Sequence, residues 1–384
     1  MKKRIAILGA TGSIGRQVLN VIGDEYEIAL LSANVNGEFL SKEFFAYINP
    51  ITIVSNKKYD VEKGDKNLHV FTTEVLSKPE TYKNVDVVVN GISGLDGVLP
   101  SFAVLESGAT LITANKETFV GAGYLFMERA RVKGAKLGEK IIPIDSEHSS
   151  VWQCLLGEKL ESIDKITLTA SGGAFRDFSK EEISTKDASF ALNHPTWKMG
   201  KKVTVDSATL MNKGFEIIEA KHLFNTKNID VVVHRESIIH SMVTFKDGCS
   251  KIQFSAPDMR LPISFALTEP NRINDTLGLK VPTLYDLADL KFSYPDYDRF
   301  PCLKIASEVA LIESDYPSLI MCASDEVAVE LYLKNLISFY DINDIIVKCL
   351  TKFNDGVVEK PTDVISIYQE VREYILNNIL EISK

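Results

Sequence analysis

The sequence predicts an α/β protein that starts with a doubly wound parallel sheet, continues in a central α+β domain and ends in a helical bundle. Three observations support this fold class. Short apolar strand patterns alternate with helical patterns in the first third of the chain, the middle mixes both kinds, and the last part shows helical patterns only. The chain has 384 residues, enough for two or three domains and a substantial core.

The first domain is predicted over residues 1–134 and contains the βαβ units of a Rossmann-like sheet. Residues 5–8 form an apolar strand pattern that runs into a glycine-rich turn, and the helical pattern RQVLNVI follows. Alternation of this kind indicates a mainly parallel sheet. Further strands are predicted at residues 28–32, 51–54, 85–90, 111–113 and 141–144, with a helix at 124–132.

The rest of the chain is predicted to form a central domain at residues 135–268, a linker at 269–298 and a C-terminal helical domain at 299–384. Strand patterns and a hairpin surround a helix predicted at 207–223. The linker is rich in Pro, Asn, Asp and Tyr and lacks sustained periodicity. The central strands are predicted at 163–170, 229–233, 242–246 and 251–255, and the C-terminal helices at 302–314, 324–334, 341–353 and 362–380.

The net charge and the cysteine content limit the classes of binding partner and the cellular compartment that are expected. The net charge is −9 and no dense Lys/Arg block is present, which argues against general binding of nucleic acid or anionic membranes. The five cysteines are scattered without a CxxC pair, which predicts free thiols in a reducing compartment, interpreted as the cytoplasm. Apolar runs are too short for a signal peptide or a membrane span, so neither is expected.

The turn GATGSIG at residues 9–15 is a GxxGxxG variant of the dinucleotide-binding fingerprint. Its glycines let the backbone approach a pyrophosphate, which then lies at the N-terminus of the following helix. A turn that merely joins strand to helix is the alternative. The second strand ends without the acidic residue that binds the ribose 2′-hydroxyl of NAD, so NADP is favoured, with Asn34 and Asn36 as candidate contacts.

Asp145 and Glu147 directly follow the apolar strand pattern IIPI. In an extended segment, residues two apart point to the same face. Adjacent carboxylates repel unless a cation lies between them, and Mg²⁺ or Mn²⁺ prefers oxygen ligands. The sequence therefore predicts a divalent metal site here; the alternative is that Asp145 caps a helix that starts near Ser149.

Two short polar motifs also follow predicted strands. Asn115, Lys116 and Glu117 come after the strand at 111–113, at the edge where open α/β sheets bind ligands. The motif SGG begins at Ser171, whose hydroxyl and neighbouring N–H groups could hold a phosphate. The alternatives are an ordinary charged helix start and an ordinary turn.

The segment DSATLMNKGFEIIEA supplies a third carboxylate. A helix would align its polar residues in one narrow stripe on an otherwise apolar surface, which suggests that the stripe faces a wet cavity. A solvent-facing stripe with an ion pair between Lys213 and Glu216 is the alternative. The stripe consists of Thr209, Asn212, Lys213, Glu216 and Glu219.

Residues 194–202, HPTWKMGKK, combine an imidazole, a tryptophan and three lysines in a short segment that also contains Pro195 and Gly200. These features predict a mobile loop that attracts anions and closes as a lid. The alternative is that Trp197 anchors a static loop. The remaining histidines, His69, His222, His234 and His240, share no ligand spacing and are predicted to be structural.

Taken in order, GATGSIG, ANKE, DSEHS, ASGG, HPTWKMG and DSATLMNKGFEIIEA resemble the 1-deoxy-D-xylulose 5-phosphate reductoisomerase family, the NADPH- and metal-dependent enzymes of the non-mevalonate isoprenoid pathway. The resemblance implies NADPH contacts at Thr11, Gly12, Ser13, Ile14, Asn115, Glu117 and Gly200. It implies that Asp145, Glu147 and Glu216 bind Mg²⁺ or Mn²⁺. It also implies a substrate site of Lys116, Ser146, Glu147, Ser171, His194, Ser207, Asn212, Lys213 and Glu216.

The resemblance further implies the reaction. The substrate is rearranged and then reduced by NADPH to 2-C-methyl-D-erythritol 4-phosphate, with Lys116, Glu147 and His194 as the candidate catalytic residues, and a homodimer is expected. Two other functions are alternatives: a semialdehyde dehydrogenase with a cysteine nucleophile, and a protein that senses NADP without catalysis. None of the cysteines has an evident activating partner, which argues against the first. The three carboxylates argue against the second.

Overall fold

The computed structural model describes residues 2–34, 52–55, 69–71, 73–269, 271–273, 277–283 and 285–382. The strands are β1 (Lys3–Leu8), β2 (Tyr26–Ala33), β3 (Thr52–Ser55), β4 (His69–Phe71), β5 (Val87–Asn90), β6 (Thr110–Thr113), β7 (Ile141–Pro143), β8 (Ile163–Ala170), β9 (Ile229–His234), β10 (Ile239–Phe245), β11 (Ser250–Phe254) and β12 (Phe292–Ser293). The α-helices are α1 (Ser13–Val21), α2 (Val98–Ser107), α3 (Glu117–Val132), α4 (Ser146–Cys154), α5 (Lys180–Ser184), α6 (Ala188–Ala191), α7 (Lys201–Thr209), α8 (Met211–Phe224), α9 (Arg260–Thr268), α10 (Pro301–Ala310), α11 (Asp315–Leu333), α12 (Asp341–Lys352) and α13 (Asp363–Ile382).

The chain divides into two compact units. The first contains residues 1–115, 126–145 and 258–277, and the second contains 116–125, 146–257 and 278–384. The division falls inside α3, near a break in its helical backbone at Ala122 (φ −154°, ψ 36°).

The first unit is built on a parallel sheet with the order β4-β3-β2-β1-β5-β6-β7 among the described strands. The chain moves outward from β1 in one direction and then in the other, so the predicted doubly wound sheet is confirmed. Residues 5–8 of β1 are fully buried, as expected for a strand with both faces covered.

The predicted end of the first domain, residue 134, lies before the last strand of this sheet. The short strand β7 pairs with β6 and extends the sheet beyond that point. Helix α9 lies within residues 135–268, the range predicted for the central domain, but it also belongs to the first unit. It packs against α1, and the Tyr26 hydroxyl of β2 donates a hydrogen bond to the Leu267 carbonyl (2.6 Å). Sequence order alone could not show that the chain returns to the first sheet.

The second unit contains a mixed sheet with the order β11-β10-β8-β9-β12 in the described part of the chain. The predicted hairpin is confirmed, since β10 and β11 pair antiparallel around a turn in which the Asp247 carboxylate accepts from the Cys249 N–H (2.9 Å). The linker prediction is wrong in one respect, because β12 lies within residues 269–298 and pairs with β9. Strand β12 has only two residues, too few to show the alternation of apolar and polar residues by which a strand is recognised in a sequence.

The helix predicted at residues 207–223 is two helices, α7 and α8. They meet at Leu210, a buried residue in the left-handed conformation (φ 60°). A leucine in this conformation is unusual and gives no signal in the sequence, because glycine or asparagine is the usual residue there. The break redirects the chain, so residues before and after it do not share one helical face.

The C-terminal helices α10 to α13 are confirmed in type and approximate position. Helix α11 begins at Asp315, with Ser314 as its N-cap, and not near residue 324. Because α11 is buried along most of its length, its first half lacks the amphipathic pattern that marks a surface helix. Among the described residues, none of the helices combines the length and hydropathy needed to cross a bilayer. The five cysteines, all within the described residues, are free thiols.

Candidate active site

The turn at residues 9–15 joins β1 to α1 at the carboxyl edge of the first sheet. The Gly12 N–H donates to the Gly9 carbonyl (2.9 Å), and the Ser32 hydroxyl of the neighbouring strand accepts from the Gly9 N–H (3.0 Å). A Cβ at Gly15 would overlap Ala10, so the helix can pack this closely on the turn only with glycine there. Gly12 is the N-cap of α1 and brings no side chain to its N-terminus. This geometry suits a phosphate group.

Of the remaining predicted cofactor contacts, Asn115 is placed most clearly. It follows β6 and is buried. Its side-chain amide donates hydrogen bonds to the carbonyls of Ile92 and Gly94 (both 2.9 Å), and these bonds fix the position of the loop after β5. Asn34 is exposed at the end of β2, and Asn36 lies outside the described residues. Glu117 is buried at the start of α3.

The turn before α3 and the helices α4 and α8 bring four ionisable side chains together in the second unit. The Lys116 ammonium donates to the Asn212 Oδ1 (2.7 Å) and to the Glu216 Oε1 (3.2 Å). The Lys213 ammonium contacts the Glu216 carboxylate and lies 3.4 Å from the Glu147 Oε2. Two carboxylates therefore converge on one cationic group.

The polar stripe of α8 is not solvent-facing. Lys213 is 5% exposed, Glu216 is 1% exposed and Glu219 is fully buried, so the stripe faces the interior of the unit. Buried charges are costly without partners, and the two lysines described above supply partners for Glu216. The alternative of a solvent-facing stripe is therefore wrong, but the ion pair between Lys213 and Glu216 that it included is present. Thr209 does not share this face, because it belongs to α7.

Helix α4 begins at Ser146, which corrects two expectations about the DSEH motif. Glu147 lies in the first helical turn and not in an extended segment, and the helix starts before Ser149. The Ser146 hydroxyl donates to the Glu147 Oε2 (2.9 Å). Asp145 immediately precedes this helix, so the covalent chain keeps its Cα within about 7 Å of the Glu147 Cα. A carboxylate before the helix and one in its first turn suit a common ligand.

Two histidines lie next to these carboxylates. The His148 Nε2 donates to the Glu216 carbonyl (2.9 Å), and its Nδ1 lies 3.4 Å from the Glu219 Oε2, so α4 and α8 are joined beside Glu216. His240 of β10 was predicted to be structural, yet its Nδ1 lies 3.8 Å from the Glu147 Oε1. No spacing in the sequence could have shown this, because the strand pairing of β10 with β8 decides it.

A hydrogen bond links Ser171 to His194, and the other contacts of the imidazole define which of its nitrogens carries the proton. The His194 Nδ1 accepts from the backbone N–H groups of Thr196 (3.1 Å) and Trp197 (2.8 Å), so it carries no proton. The neutral ring is therefore protonated on Nε2, which donates to the Ser171 Oγ (3.0 Å). The same hydroxyl accepts from the Gly173 N–H (3.3 Å), which leaves its own proton to be donated to a ligand.

The loop that contains Ser171 packs on the end of α7. A Cβ at Gly173, which has φ +69°, would overlap the Ser207 carbonyl. Only glycine allows this approach, and it places two of the predicted substrate residues, Ser171 and Ser207, on adjoining segments.

His194 is expected to remain neutral over the physiological pH range. Burial and the nearby Arg176 lower its pKa to about 4, whereas an unfolded histidine titrates near about 6.5. Between these values the unfolded chain binds a proton that the folded protein does not bind. The free energy of unfolding should therefore fall as the pH drops from about 6.5 to about 4, with this contribution fully present above that window.

An NMR titration of the imidazole resonances, with the His194→Gln variant used for assignment, measures this pKa directly. The chain has six histidines, few enough for their imidazole resonances to be resolved and assigned. An apparent pKa of His194 between 6 and 7 would contradict the hydrogen bonds described above.

The three lysines of residues 194–202 do not share one environment. Lys202 lies in the first turn of α7, where its ammonium is 2.7 Å from the Asp206 Oδ2 and 2.8 Å from the Asp325 Oδ2. Gly200 is the N-cap of this helix, so the irregular segment ends there and not at residue 202. Trp197 lies beside His240, with ring centroids 6.2 Å apart. The mobility of the loop stays a prediction.

The thiol required by a semialdehyde dehydrogenase is not activated here. Burial raises the pKa of Cys154 to about 11, so its reactive thiolate form is disfavoured.

Comparisons with known proteins agree along the whole chain. The family model for 1-deoxy-D-xylulose 5-phosphate reductoisomerase matches residues 5–123, that for its C-terminal domain matches 141–224, and the DXP reductoisomerase C-terminal domain matches 254–374. 1-Deoxy-D-xylulose 5-phosphate reductoisomerase 1 of Bacillus thuringiensis subspecies konkukian is 39% identical over 383 residues, covering 97% of this chain and 98% of the relative.

Solved structures give the same result. A DOX-P reductoisomerase in complex with NADPH, fosmidomycin and magnesium superposes with a TM-score of 0.88 at 33% identity, covering 98% of each chain. The 1-deoxy-D-xylulose 5-phosphate reductoisomerase of Zymomonas mobilis in complex with NADPH has a TM-score of 0.86 at 32% identity, covering 97% of this chain and 98% of that one. This chain belongs to the 1-deoxy-D-xylulose 5-phosphate reductoisomerase family.

Proposed function

We propose that this protein converts 1-deoxy-D-xylulose 5-phosphate to 2-C-methyl-D-erythritol 4-phosphate, using NADPH and a divalent cation, in the non-mevalonate pathway to isoprenoid precursors. The observation that carries the proposal is the buried cluster in which the carboxylates of Glu147 and Glu216 converge on Lys213, in a chain that belongs to this family. The semialdehyde dehydrogenase and NADP-sensing alternatives are not favoured.

The carboxylate cluster fits a hard divalent cation. Glu147 and Glu216 offer oxygen ligands on separate helices. Asp145 is only two residues before Glu147 in the chain, so its carboxylate is available nearby. These three residues would hold Mg²⁺ or Mn²⁺. When bound, the ion would act as a Lewis acid on the adjacent oxygens of the substrate during rearrangement of its carbon skeleton.

Two residues are candidates for proton transfer to and from the substrate hydroxyls. Lys116 presents its ammonium next to Glu216 and can donate a proton or a hydrogen bond. Glu147 lies 3.4 Å from the Lys213 ammonium, an opposite charge that stabilises its ionised form, in which it can accept a proton.

The phosphate end of the substrate would be bound by hydroxyl, amide and cationic groups of the second unit. His194 contributes as a donor through Nε2 and not as a base, because its Nδ1 is occupied by backbone N–H groups. Charge-assisted hydrogen bonds of this kind explain how an acidic protein binds a phosphorylated substrate. The proposed phosphate ligands are Ser171, His194, Ser207, Asn212 and Lys213.

The cofactor and the quaternary state complete the proposal. The turn at Thr11, Gly12, Ser13 and Ile14 holds the pyrophosphate of NADPH, with Asn34, Asn36, Asn115, Glu117 and Gly200 as further cofactor contacts. Residues 1–134, extended by β7 and α9, act as the NADPH-binding domain, the rest of 135–268 as the catalytic domain, and 299–384 as a supporting helical domain. The active form is a homodimer in the cytoplasm, in keeping with five free thiols.

Metal removal tests the role of the carboxylates. We expect a chelator to abolish NADPH oxidation in the presence of 1-deoxy-D-xylulose 5-phosphate, and Mg²⁺ or Mn²⁺ to restore it, while Ca²⁺ or Na⁺ at the same ionic strength restores much less. Full activity in a chelated, metal-free preparation would contradict this role.

The segment from His194 to Gly200 is expected to close over the substrate. Lys198 and Trp197 would approach a bound anion, excluding water from the site. The chain has two tryptophans, so ligand-induced fluorescence changes can be assigned with Trp197→Phe and, as the control, Trp152→Phe. We expect Trp197→Phe to lose most of the change. Proteolysis of this segment at equal rates with and without NADPH, metal and a phosphonate analogue would exclude a lid.

A further inference from the structure

A buried ion cluster outside the residues assigned above joins α7 to the C-terminal helix α11. The Lys202 ammonium lies between the Oδ2 atoms of Asp206 (2.7 Å) and Asp325 (2.8 Å). It also lies 4.6 Å from the ring centroid of Phe215 in α8. The Asp206 side chain is 2% exposed and that of Asp325 is fully buried, so water competes little for these contacts.

The cluster holds two carboxylates for one ammonium. Burial and the neighbouring Asp325 raise the pKa of Asp206, and Glu117 acts in the same direction. Burial opposes the charge on Lys202, but Asp206 and Asp325 hold its pKa above the ordinary value. The Lys202 ammonium therefore joins α11, through Asp325, to Asp206 of its own helix.

The position of the cluster along α7 connects it to the proposed site. Asp206 directly precedes Ser207, a proposed phosphate ligand, and Lys202 lies two residues after Gly200, where the loop ends. Asp325 reaches this helix from α11 and is remote in sequence from every residue assigned to the substrate. A shift of α7 against α11 would displace Ser207 without changing the chemical identity of any proposed substrate ligand.

We propose that Lys202, Asp206 and Asp325 are positioning residues that anchor α7 on α11 and so hold Ser207 in place for the phosphate end of the substrate. The proposal rests on the proposed function, because it assumes that Ser207 binds this phosphate.

The test is a comparison of Asp325→Ala with Asp325→Asn. Alanine removes the acceptor that links α11 to Lys202, whereas asparagine keeps an oxygen acceptor and leaves one carboxylate for one ammonium. An interaction with the phosphate that is equally strong in the ground state and the transition state acts on KM and leaves kcat unchanged. We expect Asp325→Ala to raise the KM for 1-deoxy-D-xylulose 5-phosphate about tenfold with kcat within about threefold of wild type, and Asp325→Asn to stay within about twofold in both.

Glu313→Ala is the matched control. Glu313 also pairs with a lysine, Lys227, but both side chains are at least half exposed, so loss of this pair should leave KM unchanged. Partial unfolding would lower the amount of active enzyme and hence Vmax, but not KM. If Asp325→Ala does not accumulate as folded protein, Asp325→Ser, whose hydroxyl is one bond too short to reach Lys202, takes its place.

Amide hydrogen exchange gives a readout that does not depend on activity. We expect exchange in residues 201–209 to be at least about tenfold faster in Asp325→Ala than in wild type, with β8 unaffected. Unchanged KM and unchanged exchange in folded Asp325→Ala would overturn the anchor. A wild-type protein that does not oxidise NADPH with this substrate would contradict the proposed function instead, and the exchange result would still decide whether α11 anchors α7.

Discussion

The Glu216→Gln variant is expected to lose about a thousandfold in turnover at millimolar Mg²⁺, equivalent to about 4 kcal/mol of transition-state stabilisation. Glu216 is almost fully buried and accepts hydrogen bonds from Lys116, Asn212 and Lys213. Glutamine keeps the shape of the side chain but removes its charge. Two buried ammonium groups then lose their shared carboxylate, and the proposed cation loses one of three anionic ligands.

Steady-state kinetics over a titration of Mg²⁺ and Mn²⁺ separates these effects. Weakened cation binding should appear as a large increase in the half-saturating metal concentration. The control is Glu308→Gln, an exposed glutamate on α10, which should behave as wild type. A Glu216→Gln enzyme with wild-type turnover and an unchanged metal requirement would remove Glu216 from the active site.

The second large effect is expected for Gly12→Asp, which should weaken NADPH binding by at least about a hundredfold, or roughly 3 kcal/mol. Gly12 has extended backbone angles (φ −76°, ψ 178°) at the N-cap of α1, a position that favours aspartate, so the protein should still fold. The new carboxylate would lie at the N-terminus of α1 and repel the pyrophosphate at short range.

The Gly12→Ala variant separates the effect of the added charge on NADPH affinity from the effect of the added side-chain volume. Within the described part of the chain, a Cβ at this position meets only the Gly9 carbonyl, at 3.1 Å, so alanine should cause a much smaller loss than aspartate. Titration of NADPH by fluorescence measures both dissociation constants. Equal affinity of wild type and Gly12→Asp would exclude this turn as the pyrophosphate site.

The fold was predictable wherever one local pattern decides one element. The alternation of apolar strands with helices identifies the first sheet, and an Asp-Gly turn identifies the hairpin of β10 and β11. Three features were not predictable because long-range packing decides them. These are the left-handed Leu210 that divides α7 from α8, the pairing of β12 with β9, and the return of α9 to the first unit.

The site was predictable in its residue types but not in its contacts. Spacing identified Lys213 and Glu216 as neighbours on one helix face, and the structure places Lys116 beside them from the turn before α3. Burial, which decides between a wet surface and a charged interior, is a tertiary property. For the same reason, the position of His240 beside Glu147 and the pairing of Lys202 with Asp325 were missed.

The most direct test of the proposed function is NADPH oxidation on addition of 1-deoxy-D-xylulose 5-phosphate and Mg²⁺ to the purified protein, with the product identified by mass spectrometry and NMR. The proposed function predicts oxidation of one NADPH per substrate, formation of 2-C-methyl-D-erythritol 4-phosphate, and no reaction when substrate or metal is omitted. Failure of the folded, metal-loaded protein to oxidise NADPH with this substrate, or formation of a reduced product whose carbon skeleton is unchanged, would contradict it.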